Sequence, residues 1–171
     1  THTSGLRPGI SLRDNWIRRE GALAKTYQEK LQQMPDRGFK YSDINFILLG
    51  EIVRRVSNKP LNEFAAAEIF KPLKMKDTLF LPAKKLRQRI APTEIVGGQL
   101  LRGIVHDPTA RRMGGVAGHA GIFSTAADIA KFARMILGGG QLESTRILKE
   151  ESIRLMTSVQ SPNALLDKSG L

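Results

Sequence analysis

The sequence predicts a mostly α-helical fold with a few short β strands. Two regions show apolar residues at helical spacing between capping and stopping residues. The clearest strand candidate, residues 77–82, is short, and a glycine-rich stretch between the helical regions has no durable period. The predicted organisation is a helical region over 1–90, a glycine-rich loop over 91–123, a second helical region over 124–157 and a loop over 158–171.

The first predicted helix runs from Asp14 to Met34. Asp14 or Asn15 can cap its start, and the proline and glycine of the sequence MPDRG (34–38) can stop it. The apolar side chains of this segment recur near one helical face, which we expect to be Trp16, Leu23, Tyr27, Leu31 and Met34.

The second predicted helix begins after Ser42, whose hydroxyl can cap a backbone N–H and contribute about 1 kcal/mol. Asp43 then faces the positive end of the helix dipole. The segment is apolar on nearly every side, so we expect the helix to be buried. SNKP (57–60) closes it, and Pro60 suits the first turn of a further helix over 61–70.

The remaining elements are shorter. Residues 77–82 are expected to form a strand and residues 83–90 an amphipathic helix. A helix starting at Ser124 or Thr125 resembles a capping box, with Asp128 three residues after Thr125. Three glycines (138–140) stop this helix, and a short helix follows over about 149–156.

Composition excludes several classes of protein. The 171 residues contain no cysteine, so disulfides, a thiolate nucleophile and cysteine metal sites are excluded. The net charge of +11 could indicate an anionic partner, but the charges are dispersed and no aromatic residue interleaves the densest run, 84–89. We therefore expect no nucleic acid partner. No apolar run approaches 18 residues, so no membrane span is expected.

The glycine-rich sequence GGVAGHAG (114–121) lacks the lysine of a phosphate loop and the spacing of a dinucleotide fingerprint. We expect its glycines to allow close backbone packing. Neither His2, His106 nor His119 stands at metal-ligand spacing, so no metal or cofactor is expected, and His119 is interpreted as a hydrogen-bonded structural histidine. A Ser/His/Asp triad stays open, although no G-x-S-x-G supports it.

Tyr41 and Asp43 flank Ser42 at the start of the second predicted helix. One interpretation is an ordinary helix cap beside a packing tyrosine. The other is a phenol and a carboxylate that a rigid helix holds in place as part of a catalytic site.

A family resemblance favours the second interpretation. The sequence resembles the serine beta-lactamase-related hydrolases, which include class C beta-lactamases, D-alanyl-D-alanine carboxypeptidases and esterases. The resemblance implies the helical-domain portion of the two-domain α/β beta-lactamase/penicillin-binding fold, with most of the sheet missing. It covers nearly the whole of 1–171, in the segments THTSGL, DNW, YSDINFILLGEIVRRVSNKPLNEF, IFKPLKMKDTLF, RIAPTE, VHDPTARRMGGVAGHAGIFSTAADIAKFARMILGGG and RILKEESIRLMTS.

Members of this family use Ser-x-x-Lys, Tyr-x-Asn and Lys-Thr-Gly or His-Thr-Gly motifs, and this chain matches only the second. The resemblance implies that Tyr41 and Asp43 are catalytic-site residues. Asp43 departs from the asparagine of class C enzymes, and a carboxylate cannot donate a hydrogen bond to a substrate carbonyl. No serine here has a lysine three residues later. The chain is therefore interpreted as the central part of a longer enzyme.

The implied function is acyl-enzyme hydrolysis of an amide or ester, with a small-molecule or peptidoglycan-related substrate, by a longer parent protein. A phenol with its ordinary pKa near 10 needs neighbouring cations to act as a base near neutrality, so this chain alone is expected to be inactive. The alternative is a non-catalytic basic helical module or scaffold that binds an anionic partner. We also expect an exposed apolar face that permits self-association, and the resemblance suggests a periplasmic or secreted location.

Overall fold

The computed structural model describes residues 1–161, which form six α-helices and six two-residue strands. The helices are α1 (Arg18–Tyr27), α2 (Asp43–Ser57), α3 (Leu61–Ala65), α4 (Pro108–Arg112), α5 (Ala126–Leu137) and α6 (Glu150–Thr157). A π-helical segment, Ala66–Phe70, continues α3, and a 3₁₀ helix covers Lys84–Arg89. The strands are β1 (Leu79–Phe80), β2 (Ile95–Val96), β3 (Gln99–Leu100), β4 (Ile122–Phe123), β5 (Gln141–Leu142) and β6 (Thr145–Arg146).

Helix α1 is much shorter than the predicted 14–34. Its N-cap is Ile17, whereas Asp14 forms an ion pair with Lys25 at 3.2 Å instead of capping the helix. Trp16 lies just before the helix and is buried. After Tyr27 the chain leaves the helix and runs beside the N-terminal residues.

The predicted apolar face of α1 is therefore only half right. Trp16 and Leu23 are in the core, but three more distant members, Tyr27, Leu31 and Met34, are exposed. The reason is a hydrogen bond from the Gln32 N–H to the Gly5 carbonyl at 2.8 Å, which replaces helical pairing with a long-range contact.

Helix α2 begins where the sequence predicts, with Ser42 at the N-cap position. The Ser42 hydroxyl does not cap the helix, however; it donates to the Arg7 carbonyl at 2.6 Å. The Asp43 N–H donates to the Pro8 carbonyl at 2.7 Å. The N-terminal segment thus fixes the start of α2, and Asn58 in the left-handed region (φ 52°) ends it.

The expectation that α2 is buried all round is wrong. Its buried residues are Ile44, Ile47 and Glu51, which lie on one face. Leu49, Ile52 and other apolar side chains are exposed, and Val56 is 84% exposed. A nearly uniform apolar pattern indicates that several faces could be covered, but it does not state which neighbours are present in this chain.

Glu51 links α1 to α2 because its buried carboxylate accepts hydrogen bonds from three arginines. Arg54 and Arg55 lie on the same helix, and Arg19 comes from α1 at 2.8 Å. The Arg54 hydrogen bonds, helped by those of Arg55 and the charge of Arg19, outweigh burial and lower the pKa of Glu51 to about 2.

The core consists of two clusters. One joins the N-terminal segment, α1, α2 and α4 through Ile10, Trp16, Ala22, Leu23, Ile47, Val105, Ala110, Met113 and Ala117. The other joins the helices on either side of the glycine-rich region through Ala65, Phe70, Leu73, Met75, Phe80, Met135 and Ile153.

The strands form three separate antiparallel pairs, β1 with β4, β2 with β3 and β5 with β6. The expected strand within 77–82 is β1, and Leu79 pairs with Phe123. The region 91–123 contains the β2–β3 hairpin and α4, a helix that the sequence analysis missed. Within residues 1–161, no helix combines the length and apolar character needed to cross a membrane.

Helix α5 follows its prediction closely. Thr125 is the N-cap, and its hydroxyl accepts a hydrogen bond from the Asp128 N–H at 3.3 Å. The Asp128 carboxylate is buried and accepts from the Asp77 N–H and the Thr78 hydroxyl, at 2.7 and 3.0 Å. This contact connects α5 to the segment before β1. The predicted loop over 158–171 lies outside the described residues beyond position 161.

Candidate functional site

Tyr41 lies just before α2 with 61% of its surface exposed. Its ring stacks on the His2 ring with the centroids 4.3 Å apart. His2 is fixed in turn, because its Nδ1 accepts a hydrogen bond from the Ser42 N–H at 3.0 Å. The phenol is therefore held at the surface, where a substrate or a neighbouring segment can reach it.

Asp43 is the first residue of α2 and is half-buried. Its carboxylate lies near Asp107 and His119, and one potential ligand atom from each of the three residues is within 4.8 Å of the others. These residues are far apart in the sequence. The structure thus brings one predicted site residue, Asp43, together with two side chains to which the sequence analysis gave no role in catalysis or binding.

Asp107 is the N-cap of α4, and its Oδ1 accepts a hydrogen bond from the Ala110 N–H at 2.6 Å. Pro108 occupies the first turn, where a missing N–H costs nothing. The same Oδ1 is 2.9 Å from the His119 Nε2. Asp107 thus caps a helix and orients an imidazole at the same time.

Gly118 sets the position of His119. A side-chain carbon added at Gly118 would lie only 1.9 Å from the Phe46 carbonyl oxygen of α2 and 3.1 Å from the Gly50 nitrogen. Only a glycine allows the chain to pass this close to the helix backbone. The expectation of close packing at this glycine-rich segment is confirmed, and it places the next residue beside the start of α2.

The His119 side chain is only 3% exposed. Its Nδ1 is buried and has no hydrogen-bond partner among the described residues. The interpretation of His119 as a hydrogen-bonded histidine is therefore correct for Nε2 and incomplete for Nδ1.

A large groove lies beside this cluster, with a volume of about 1120 Å³. Asp107 and His119 form part of its lining, whereas Tyr41 and Asp43 do not. Most other lining residues are apolar, and those from α2, α3, α5 and the β1–β4 pair include Phe46, Leu49, Leu61, Phe64, Phe80 and Phe132. The groove combines an apolar wall with a polar end, as small-molecule sites do.

The sequence analysis predicted Tyr41 and Asp43 as site residues and gave Asp107 no role. The available signal was the Asp-Pro pair at 107–108, which is typical of a helix N-cap followed by its first turn. It could have located α4, but the contact of Asp107 with Asp43 depends on folding.

These features define a class of protein. The mostly helical region with its short strand pairs corresponds to the helical part of the two-domain α/β beta-lactamase/penicillin-binding fold. The chain belongs to the Beta-lactamase family, which it matches over residues 1–169.

Two curated relatives illustrate the similarity. An N-acetylmuramyl-L-alanine amidase of Bacillus subtilis (strain 168) is 35% identical over 134 residues, covering 69% of this chain and 30% of the relative. An Escherichia coli (strain K12) protein, provisionally named as a D-alanyl-D-alanine carboxypeptidase, is 32% identical over 151 residues, covering 78% of this chain and 35% of the relative. The chain thus spans about a third of the length of these relatives.

Solved structures show the same fold. The octameric penicillin-binding protein homologue from Pyrococcus abyssi has a TM-score of 0.64 at 22% identity, covering 92% of this chain and 37% of that one. The D-amino acid amidase from Ochrobactrum anthropi SV3, complexed with L-phenylalanine amide, has a TM-score of 0.63 at 22% identity, covering 89% of this chain and 44% of that one. The described residues therefore adopt the helical part of this fold.

Proposed function

We propose that this chain is the central part of a serine hydrolase that cleaves an amide or ester bond through an acyl-enzyme, with a peptidoglycan-related substrate. The observation that supports this most is Tyr41, whose exposed phenol stands at the start of a rigid helix in a Beta-lactamase family chain. The names of the Bacillus subtilis amidase and the Escherichia coli relative favour amide bonds of the bacterial cell wall.

In the proposed reaction, a serine hydroxyl of the parent protein attacks the carbonyl carbon. Tyr41, as a phenolate that lysines of the parent stabilise, accepts the serine proton. The proton then passes to the leaving group, and water hydrolyses the acyl-enzyme. Asp43 lies two residues from Tyr41, on the first turn of α2. As a carboxylate it can accept, but not donate, a hydrogen bond, so it suits an N–H or ammonium of the substrate or a lysine of the parent.

We further propose that residues 1–171 alone are inactive, because the chain contains no Ser-x-x-Lys and no Lys-Thr-Gly. The purified chain should not hydrolyse a p-nitrophenyl ester above background and should not be labelled by a fluorescent penicillin. Turnover that Tyr41→Phe abolishes would show that the chain supplies its own nucleophile. Tyr27→Phe is the matched control, since it removes another exposed phenol.

The same proposal makes a positive prediction for the parent polypeptide. Its sequence before Thr1 should encode Ser-x-x-Lys. Tyr41→Phe in that polypeptide should lower kcat by about 10²- to 10⁴-fold, the usual contribution of a positioned general base. A parent protein without the serine and lysine, or one whose kcat Tyr41→Phe does not change, would contradict the mechanism.

We also propose that the exposed apolar face of α2 promotes self-association of the isolated chain. Leu49, Ile52 and Val56 are all more than half exposed along this helix, and exposed apolar patches commonly mark interaction surfaces. Sedimentation velocity should show concentration-dependent dimers or larger species. Ile52→Lys should shift the distribution toward monomer, whereas a monodisperse wild-type monomer would rule out this role.

A further inference from the structure

The cluster of Asp43, Asp107 and His119, hereafter the Asp-Asp-His cluster, offers a function beyond the proposed hydrolysis. It combines two carboxylates and one imidazole, which are common ligands of divalent transition metals. Their potential ligand atoms lie within 4.8 Å of one another, and the Asp107 Oδ1 is 2.9 Å from the His119 Nε2.

The spacing of these atoms suits a metal centre. A metal with bonds of about 2.0–2.2 Å holds neighbouring ligand atoms about 3 Å apart. The Asp107–His119 pair already has this spacing. Asp43 is half-buried, and a change of its side-chain rotamer can close a remaining gap of less than about 2 Å.

The charges of the two aspartates also favour a divalent cation. Although the chain has a net charge of +11, no lysine or arginine among residues 1–161 lies within 4.0 Å of the carboxylate of Asp43 or Asp107. Two carboxylates this close repel each other, most strongly where they are shielded from water. A divalent cation between them would remove that repulsion.

The imidazole supplies an independent argument. His119 is almost fully buried, and only one of its two ring nitrogens has a hydrogen-bond partner in the described structure. Burying a polar atom without a partner is unfavourable. A neutral imidazole keeps a lone pair on one nitrogen. Nε2 faces only a carboxylate oxygen and Nδ1 has no partner among the described residues, so in either tautomer that lone pair receives no hydrogen bond and is available to a metal.

The backbone around the cluster is rigid. Asp43 lies on the first turn of α2, Asp107 caps α4, and His119 follows a glycine in direct contact with the α2 backbone. Ligands on elements fixed in this way need little ordering when a metal binds.

We propose that the Asp-Asp-His cluster binds one divalent transition-metal ion, for which Zn²⁺ is the probe. The imidazole disfavours Mg²⁺ and Ca²⁺, which prefer all-oxygen sites. Three protein ligands leave one coordination position of a tetrahedral ion open. That position can face the groove, because Asp107 and His119 line it.

The test is isothermal titration calorimetry of the full chain, freed of metal with a chelator and titrated with ZnCl₂. Wild type should bind one Zn²⁺ per chain, with Mg²⁺ much weaker. Asp43→Asn and His119→Gln should each weaken Zn²⁺ binding at least about tenfold. The matched control is His106→Gln, since His106 also lies near a carboxylate, Glu94 at 3.6 Å, but is exposed; it should bind as wild type does.

Circular dichroism of each variant separates loss of ligation from loss of folding. If His119→Gln is unfolded, Asp107→Asn gives the second measurement, because asparagine preserves the N-cap acceptor. The proposal is overturned if the wild type shows no 1:1 binding, or if folded Asp43→Asn and Asp107→Asn bind Zn²⁺ as tightly as wild type. Binding that His106→Gln weakens as much as the cluster variants do would also overturn it.

Discussion

Gly118→Ala tests whether the glycine-rich segment is shaped by direct backbone contact with α2. The added methyl group would lie 1.9 Å from the Phe46 carbonyl oxygen, and real contacts of this kind are essentially never below 3.0 Å. The two backbones must therefore separate by about 1 Å. No flexible side chain can absorb this movement, because the obstructing atoms belong to the helix itself.

The expected cost is at the upper end of the range for overpacking, about 3 kcal/mol in the free energy of unfolding. For a chain of this size, each kcal/mol lowers Tm by about 2–4 °C, so the expected decrease is about 6–12 °C. Gly118 does not have a positive φ. The loss would therefore report the close contact and not backbone strain.

The assay is urea and thermal unfolding followed by circular dichroism, with Gly9→Ala as the matched control. Gly9 has no atom within 4 Å of an added methyl group and no positive φ, so its substitution should change stability by less than about 1 kcal/mol. A Gly118→Ala variant as stable as Gly9→Ala would refute the close-packing explanation and the placement of His119 that depends on it.

Three further predictions concern buried polar groups. Glu51, with its pKa lowered to about 2 by guanidinium hydrogen bonds, should stabilise the fold by about 3 kcal/mol above pH 4.5 and lose this as pH falls toward 2. Acid unfolding of Glu51→Gln should lack that component, and an unchanged acid profile would contradict it. Ser42→Ala should cost about 1–2 kcal/mol in urea unfolding, because the Arg7 carbonyl loses its donor; Ser11→Ala, at an exposed hydrogen bond, is the control. Burial alone would raise the pKa of Asp128, but the hydrogen bonds that its carboxylate accepts from Lys131 and the 77–78 segment lower it. Asp128→Asn should therefore destabilise the protein more at pH 7 than at pH 3. Equal losses of stability at both pH values would argue against this account.

The whole of α5 was predictable because its signals are local. Capping residues, glycines and apolar spacing act within a few residues, and Thr125 and the 138–140 glycines mark its observed boundaries. The start of α2 was predicted at the right residue, but Ser42 bonds to the distant Arg7 carbonyl instead of capping the helix. The length of α1 was not predictable in the same way. A contact between Gln32 and Gly5 ends its periodic segment early, and no pattern within the segment encodes that partner.

The residues of the candidate site also differ in whether the sequence could suggest them. Tyr41 and Asp43 could be proposed as site residues because they stand two positions apart in the sequence and resemble a family motif. Asp107 and His119 could not be assigned to the same place, since their proximity to Asp43 depends on the fit of Gly118 against α2.

The amino-acid sequence by itself determined the family, the mostly helical character and the phenol-carboxylate pair at the start of α2. Each of these depends on residue types at short, fixed separations. Only the tertiary structure decided which face of α2 is buried and which side chains surround Asp43. Arg19 of α1 reaches the buried Glu51 of α2 across 32 residues, and Asp107 and His119 lie more than 60 residues after Asp43. The local pattern of a chain does not specify such distant contacts.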